Sequence, residues 1–206
     1  ISNAVQQGDA SLSPEKNSAF KIGSRYRQTG FSAVLSGFYT HGKDMIDWVQ
    51  TTETELTDSK YHVMNIGKLD NMGFNVDAEI YMNELLPRCF VTNIRLGYAY
   101  INQNHETETE ILRSLYALEY LRHKAVFGLD HKIWSKLSAS WSVRWQQRMN
   151  GYHPYTKVDC KVMWNDRKYS VYVKADNITC HRYYDLSAVK QPGLWVMAGV
   201  SVNLGW

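Results

Sequence analysis

Apolar and polar residues alternate at every second position over long stretches of this chain. In Leu137–Arg148, the clearest case, Leu, Ala, Trp, Val and Trp alternate with Ser, Ser, Ser, Arg and Gln. A period of two is typical of a β-strand with one apolar and one polar face. Eight further stretches show the pattern: Phe20–Arg27, Phe31–His41, Phe74–Asn83, Phe90–Tyr100, His123–Trp134, Lys157–Trp164, Tyr169–Asp176 and Leu194–Trp206. We therefore predict nine strands in an all-β, antiparallel, up-and-down arrangement, since no helical pattern recurs between them.

The predicted connections alternate between short and long. The short ones lie near Thr29-Gly30, Leu86–Arg88, Ser135-Lys136 and Asn165–Arg167. The long ones lie near Thr51–Asn71, Asn102–Leu118, Met149–Thr156 and Asn177–Gly193. Outer-membrane barrels join their strands by short periplasmic turns and by longer extracellular loops. The alternation at all eight connections therefore favours the strands of a transmembrane β-barrel.

Aromatic and charged residues support the same interpretation. Aromatic residues flank the apolar faces, with Tyr26, Trp134, Trp164 and Trp206 near the short turns and Trp48, Tyr98, Tyr100 and Trp145 toward the long loops. Such girdles suit the two interfaces of a bilayer. Charged residues in the central parts of the strands fall on the polar face, as lipid exposure demands, because a lipid-facing cation at the midplane costs roughly 2–4 kcal/mol. A soluble β-sandwich binding module would also alternate, with its apolar faces inward, and stays open as an alternative.

Composition and charge exclude several classes of protein. The longest stretch without a formal charge has 16 residues, Gln191–Trp206, and is shorter than the roughly 18 apolar residues of a membrane-spanning helix. The mean hydropathy of −0.42 is what strands with one apolar and one wet face should average. The net charge of +3 over 206 residues predicts no nucleic-acid partner. The three cysteines, Cys89, Cys160 and Cys180, form neither a disulfide framework nor a zinc motif.

The C-terminal region carries the first part of a family resemblance. The last stretch ends on Trp206, with Leu204 two positions before it, and resembles the signal that outer-membrane barrels present to their insertion machinery. The segment from Asp176 to Asp185, followed by Gln191-Pro192-Gly193, resembles the end of TonB-dependent outer-membrane receptors. There an Asn-Leu-Phe-like turn and a downstream Tyr precede a Pro-Gly-Arg-like element. This chain departs from that pattern at three positions: Ile178, Thr179 and Leu194.

Two upstream motifs extend the resemblance over essentially the whole chain. Leu12-Ser13-Pro14-Glu15-Lys16 is similar to the Leu-x-Pro-Glu element that opens a barrel strand in these receptors. Asn65-Ile66-Gly67-Lys68, followed by Met72-Gly73-Phe74, resembles their Asn-x-Gly segment and the Gly-hydrophobic-Glu segment after it. Asn75 stands where an acidic residue is more usual.

The resemblance implies a C-terminal part of a 22-stranded, plugged outer-membrane barrel. Residues 1–17 would be an extracellular loop segment and residues 18–206 barrel strands. Such receptors take up a ferric siderophore, haem, cobalamin or a glycan across the bacterial outer membrane. The implied partners are membrane lipid, the barrel-insertion machinery, an N-terminal plug with the remaining strands, and the TonB complex acting through that plug. No cofactor or enzymatic activity is expected. A small self-contained outer-membrane barrel with a structural or adhesive role is the main alternative, although nine strands is an odd number for a closed bacterial barrel.

The alternation also predicts which charged residues face the lumen of such a barrel: Lys21, Arg25, Asp77, Glu79, Arg95, Arg144, Lys157, Asp159, Lys161, Lys174 and Asp176. They could contact a plug or a passing solute, or could simply hydrogen-bond across a wet interior. We favour the second interpretation, because polar lumens are general in this architecture.

Two long-loop segments are candidate binding sites. The aromatic residues Tyr152, His153, Tyr155, Tyr183 and Tyr184 lie on the predicted extracellular side, where rigid rings often anchor ligands but also form interface belts. The acidic series Glu106, Glu108 and Glu110 could approach a calcium ion, yet a full shell needs about 6–8 oxygen ligands, so we predict a solvated loop and no metal site. Residues 111–121 have the spacing of a short amphipathic helix.

Overall fold

The computed structural model describes residues 6–7, 9–57, 60–107, 110–115, 121–149, 153–183 and 190–203. Strands dominate these residues, and the two helices are short: α1 spans Thr52–Thr57 and α2 spans Met82–Leu85. Within the described residues, no helix is both long enough and apolar enough to span a membrane.

Nine antiparallel strands form the main sheet, and each strand pairs with its neighbours in chain order. They are β2 (Lys16–Gln28), β3 (Phe31–Lys43), β6 (Lys68–Tyr81), β7 (Val91–Glu106), β9 (Leu121–Lys132), β10 (Leu137–Arg148), β11 (Tyr155–Asn165), β12 (Tyr169–Asp176) and β13 (Trp195–Val202). This confirms the nine predicted strands and their up-and-down order. Among the described residues the sheet is open, because β2 and β13 are its edges and do not pair with each other.

The register of the main sheet separates charged from apolar side chains. Arg144 of β10 pairs with Val126 and Lys157, and the row continues through Gly97, Asp77 and Arg25. We call the side of the sheet that carries this row the polar face. On the opposite, apolar face, the paired positions between the level of Phe74 and the short connections include no Lys, Arg, Asp or Glu among the described residues.

The apolar face is exposed over much of its area. The side chains of Ile22 and Val200, near its two edges, are 66% and 67% exposed. A β-sandwich would bury this face against a second sheet. The soluble sandwich alternative is therefore wrong for this fold.

Strands of the main sheet extend beyond the predicted stretches on the long-loop side. β6 begins at Lys68 and β7 continues to Glu106. The Lys68 ammonium forms an ion pair with the Glu106 carboxylate, with the nitrogen and oxygen 2.9 Å apart. The charged ends break the apolar alternation, so the sequence pattern understated the strand lengths. The alternation of short and long connections is confirmed; α2 lies in the short one between β6 and β7.

A second sheet is formed by strands of two long connections and of the segment that precedes β2, and the sequence pattern did not predict it. Its strands, in the order β1-β5-β4-β8, are β1 (Gln6–Gln7), β5 (Tyr61–Asn65), β4 (Ile46–Thr51) and β8 (Ile111–Ser114). Val49, Ile66 and Leu69 form a small buried core beside it. Trp48 therefore lies in β4, outside the main sheet, and the predicted helix over residues 111–121 is wrong where it is described, since Ile111–Ser114 is a strand.

Candidate functional site

A groove of about 590 Å³ lies on the polar face, across β3, β6, β7, β9 and β10. Its lining includes Asp77, Glu79, Arg95, Lys124 and Ser142. Gly128 makes room for the Arg95 side chain, because a Cβ there would lie 2.8 Å from the Arg95 Nε atom. The alternation of side chains along each strand places these groups on one face, and Gly128 leaves space between them because it has no side chain.

The carboxylates near the groove are held by neighbouring donors. Glu79 accepts hydrogen bonds from the Asn93 side-chain amide at 2.6 Å and from the Tyr81 hydroxyl at 2.8 Å. The Arg95 guanidinium lies 3.1 Å from Asp130. These bonds run within or between adjacent strands, as expected for a wet polar surface whose charges satisfy one another.

A second set of charge pairs lies on β11 and β12. Lys157 is 3.3 Å from Asp159, and Lys174 is 2.9 Å from Asp176. Asp159 also accepts the backbone N–H of Asn177 at 2.8 Å. Asp159 therefore connects β11 to the turn that follows β12.

All the charged residues that the sequence assigned to one face do share the polar face. All of them except Asp176 fall on rows of paired residues that include Arg25, Phe38, Ser140, Ser142 or Arg144. Asp176 shares their face because it lies two residues after Lys174 in β12. Lys21, Arg25 and Arg144 differ from the groups above, because the described residues offer them no carboxylate within ion-pair distance.

The candidate aromatic residues are packed against one another. Tyr155 and Tyr183 stack with ring centroids 4.6 Å apart, and only 6% and 7% of their surfaces are exposed. The His181 ring also stacks on Tyr155, with the two ring centroids 6.1 Å apart. His153 is exposed, whereas Tyr152 and Tyr184 lie outside the described residues. The stack is a result of tertiary packing between β11 and the last long connection, which no local sequence signal shows.

Asn177 fixes the turn after β12, where the sequence resembles the receptor motif. Its backbone φ is 54°, in the left-handed region that Asn tolerates better than most residues. The side-chain amide donates to the carbonyl oxygens of His181 and Pro192, and the side-chain oxygen accepts from the His181 N–H and the Thr179 hydroxyl. A buried side chain with these four contacts explains physically why an Asn suits the first position of this turn, and the Thr179 hydroxyl, where the family pattern has Phe, adds one of the four contacts.

The two upstream motifs meet in space. The Asn65 side chain donates to the carbonyl oxygens of Ser13 and Asp44 and accepts the Ser13 N–H at 2.9 Å. Glu15 accepts the Ile46 N–H at 2.6 Å. The Leu-x-Pro-Glu and Asn-x-Gly segments therefore join the start of β2 to the second sheet. Sequence resemblance identified each motif, but only the structure shows that they are partners.

The acidic loop series does not form a metal site in the part of the chain that is described. Glu106 pairs with Lys68, Glu110 is exposed, and Glu108 lies outside the described residues. No group of three or more metal-ligating side chains occurs within the described ranges. Leu204 and Trp206, the predicted insertion signal, also lie outside them.

An ion pair links two short connections at the other end of the main sheet. The Lys136 ammonium lies 2.6 Å from Asp166, and both side chains are partly exposed. This hydrogen bond from Lys136 lowers the pKa of Asp166, and the Arg167 N–H assists it; the same bond raises the pKa of Lys136. The pair is therefore charged at neutral pH and fixes the β9–β10 turn beside the β11–β12 turn.

The fold and its charge distribution define antiparallel strands of a transmembrane β-barrel. A family model described as the TonB-dependent receptor-like β-barrel matches residues 1–178. The chain therefore belongs to the TonB-dependent receptor β-barrel family.

Solved structures share this fold at low sequence identity. The copper transporter OprC superposes with a TM-score of 0.72 at 15% identity, over 95% of this chain and 33% of OprC. The FrpB iron transporter from Neisseria meningitidis gives 0.70 at 15% identity, over 95% of this chain and 32% of FrpB. The siderophore receptor PirA from Pseudomonas aeruginosa gives 0.65 at 16% identity, over 96% of this chain and 31% of PirA. The chain thus spans about a third of the length of these proteins.

Proposed function

We propose that this chain forms nine neighbouring strands in the wall of a bacterial outer-membrane receptor for energy-coupled nutrient uptake. The observation that carries the proposal is that, among the described residues between the level of Phe74 and the short connections, charged residues lie on only one face of the nine-stranded sheet. A face without charged residues suits lipid, and a face with them suits a wet lumen. The complete wall would be of the 22-stranded, plugged type.

The long-loop ends would face the outside of the cell. They carry the second sheet and the stack of Tyr155, Tyr183 and His181. These folded loops would form a rigid rim, in which Tyr152, His153 and Tyr184 provide further aromatic surface for ligand contact. The predicted insertion signal at Leu204 and Trp206 would engage the insertion machinery at the opposite end.

The related structures support a broad class of ligand. OprC is a copper transporter, FrpB an iron transporter and PirA a siderophore receptor. We propose a scarce, bulky nutrient, with a metal-bearing ligand such as a ferric siderophore, haem or cobalamin first, and a glycan as the metal-free alternative. Release of that ligand would require a plug and the TonB complex, which other segments of a complete receptor would contact.

Uptake measurements test this function. The complete receptor that carries this chain is expressed in two strains that lack other metal receptors, one with TonB and one without it. Radiolabelled iron is supplied as a panel of ferric siderophores. We expect accumulation of at least one complex in the TonB-containing strain alone, with cells carrying empty vector as the control. Equal accumulation in both strains would contradict energy-coupled uptake, and accumulation of none of the complexes would contradict a ferric siderophore as the ligand.

A further inference from the structure

Basic side chains outnumber acidic ones on the polar face. The basic residues are Lys21, Arg25, Arg27, Arg95, Lys124, Lys132, Arg144, Lys157, Lys161 and Lys174, and the acidic ones are Asp77, Glu79, Asp130, Asp159 and Asp176. The whole chain has a net charge of only +3. Positive charge is therefore concentrated on this face.

The acidic groups are also the better neutralised of the two sets. Asp130, Asp159 and Asp176 each have a basic partner within 3.3 Å. Glu79 is held by the Asn93 amide and the Tyr81 hydroxyl. The excess charge that these contacts leave on the face is positive.

Several cations have no such compensation. In the described ranges, Lys21, Arg25, Lys124 and Arg144 have no carboxylate within ion-pair distance, and Lys161 contacts the face of the Tyr172 ring at 4.6 Å. Lys124 lines the groove described above. Unpaired ammonium and guanidinium groups bind carboxylate and phosphate oxygens through charge-assisted hydrogen bonds.

The cations recur at every level of the sheet between its long-loop and short-turn ends. The five levels set by Gln146, Arg144, Ser142, Ser140 and Ser138 of β10 contain, in order, Lys124, Lys157, Arg95, Lys161 and Lys132. Four steps of two residues correspond to about 27 Å along a strand, at about 3.4 Å per residue. The positive charge thus forms a continuous series along the strands and is not confined to one end.

We infer that the polar face is a path for an anionic solute, one that presents carboxylate or phosphate oxygens. The inference rests on the proposed function, because it requires this face to line the lumen. A surface lined by one sign of charge beside a low-dielectric wall raises the local concentration of counter-ions. Rings of Arg and Lys serve anion selectivity in membrane pores for the same reason. The series of cations would attract an anionic solute and repel a bare metal cation.

Thiol reactivity on the polar face tests the sign of the potential directly. In the complete receptor, with the native cysteines replaced by serine, Ser142→Cys introduces one thiol beside the groove. Two methanethiosulfonates of similar size are compared, the anionic sulfonatoethyl and the cationic trimethylammonioethyl reagent. We expect the anionic-to-cationic rate ratio to exceed that of free cysteine by about tenfold or more. Added citrate or inorganic phosphate should slow the reaction of the anionic reagent, whereas the cation spermidine should not.

Charge variants complete the test. Lys124→Glu with Arg144→Glu should return the rate ratio to that of free cysteine or below it, and the neutral pair Lys124→Gln with Arg144→Gln should give an intermediate ratio. Lys16→Glu with Lys43→Glu is the matched control: it makes the same change in net charge at exposed positions on the other side of the sheet, and should leave the ratio unchanged.

The outcomes separate the inference from the proposed function. A ratio near that of free cysteine, or one that the Lys124 and Arg144 variants leave unchanged, would overturn the anionic path while leaving a wet lumen in place. Failure of both reagents to reach the thiol would also overturn the path, because a face that the plug covers cannot admit a solute; the uptake measurement above tests the proposed function separately.

Discussion

Arginine in place of Val143 is expected to destabilise the membrane-inserted barrel by about 2–4 kcal/mol, the cost of a cation at the lipid-facing midplane. Val143 lies in the apolar face, in register with Phe127 and Val158, and far from the charged residues of that face near the long loops. The row of paired residues that contains Val143 offers an arginine no carboxylate partner. Denaturant unfolding of the complete receptor in phospholipid vesicles measures the change.

The neighbouring residue provides the control for this prediction. Ser142 precedes Val143 in β10 and points to the polar face beside the groove. Ser142→Arg should change the free energy of unfolding by less than about 1 kcal/mol, because its side chain would remain in water. Equal destabilisation by the two variants, or a larger effect at Ser142, would show that the faces are assigned wrongly.

Alanine in place of Gly67 is expected to loosen the packing of the second sheet on the main sheet near the long loops. Gly67 has a φ of +84°, in a region that L-residues rarely adopt, and a Cβ there would lie 2.4 Å from the carbonyl oxygen of Glu106. Backbone strain of this kind costs of order 1–3 kcal/mol, and the clash with β7 adds to it. Because Gly67 joins the buried Ile66 to the start of β6, the second sheet should loosen from the main sheet.

Limited proteolysis of the complete receptor measures that loosening. Gly67→Ala should speed cleavage in the connection between β3 and β6, while the strands of the main sheet stay protected. Gly37→Ala is the control, since its nearest non-neighbour atom is the Gly73 carbonyl oxygen, at an ordinary 3.7 Å, and its φ is not positive. Equal cleavage rates for the two variants would contradict the role assigned to Gly67.

The nine main strands were predictable because each one carries a continuous local signal. A strand with lipid on one side and water on the other must alternate along its length, and Leu137–Gln146 does so without interruption. The same alternation predicts that Asp77, Glu79 and Arg95 share a face. Strand ends were less predictable, since Lys68 and Glu106 pair beyond the apolar stretch and leave no alternation to detect.

The second sheet was not predictable from local pattern. β4, β5 and β8 have only four to six residues each, and their stability comes from partners far away in the chain. Ile111–Ser114 pairs with β4 across more than fifty residues of sequence, so an amphipathic spacing that favours a helix in isolation is overridden by tertiary contacts. The hydrogen bonds between Asn65 and Ser13 likewise join residues that are far apart in the sequence.

The residues of the candidate site were predictable from the sequence, but their contacts were not. Alternation identified the charged residues of the polar face, whereas the pairing of Arg95 with Asp130 and the lack of a carboxylate near Lys124 and Arg144 depend on cross-strand register. The sequence identified Tyr155 and Tyr183 as candidate ligand contacts because they are aromatic residues on the long-loop side. Their stacking and burial arise from the path of the last long connection.

Spin labels along β10 test the central claim, that one face of the main sheet meets lipid and the other meets water. Single cysteines are introduced at successive positions from Ser138 to Val143 in the complete receptor, labelled with a nitroxide and placed in phospholipid vesicles. We expect oxygen dissolved in the lipid to relax mainly the labels at odd-numbered positions. A water-soluble nickel complex should relax mainly the labels at even-numbered positions, so that both accessibilities vary with a period of two. Accessibilities with the opposite phase, or equal accessibilities at Ser142 and Val143, would contradict it.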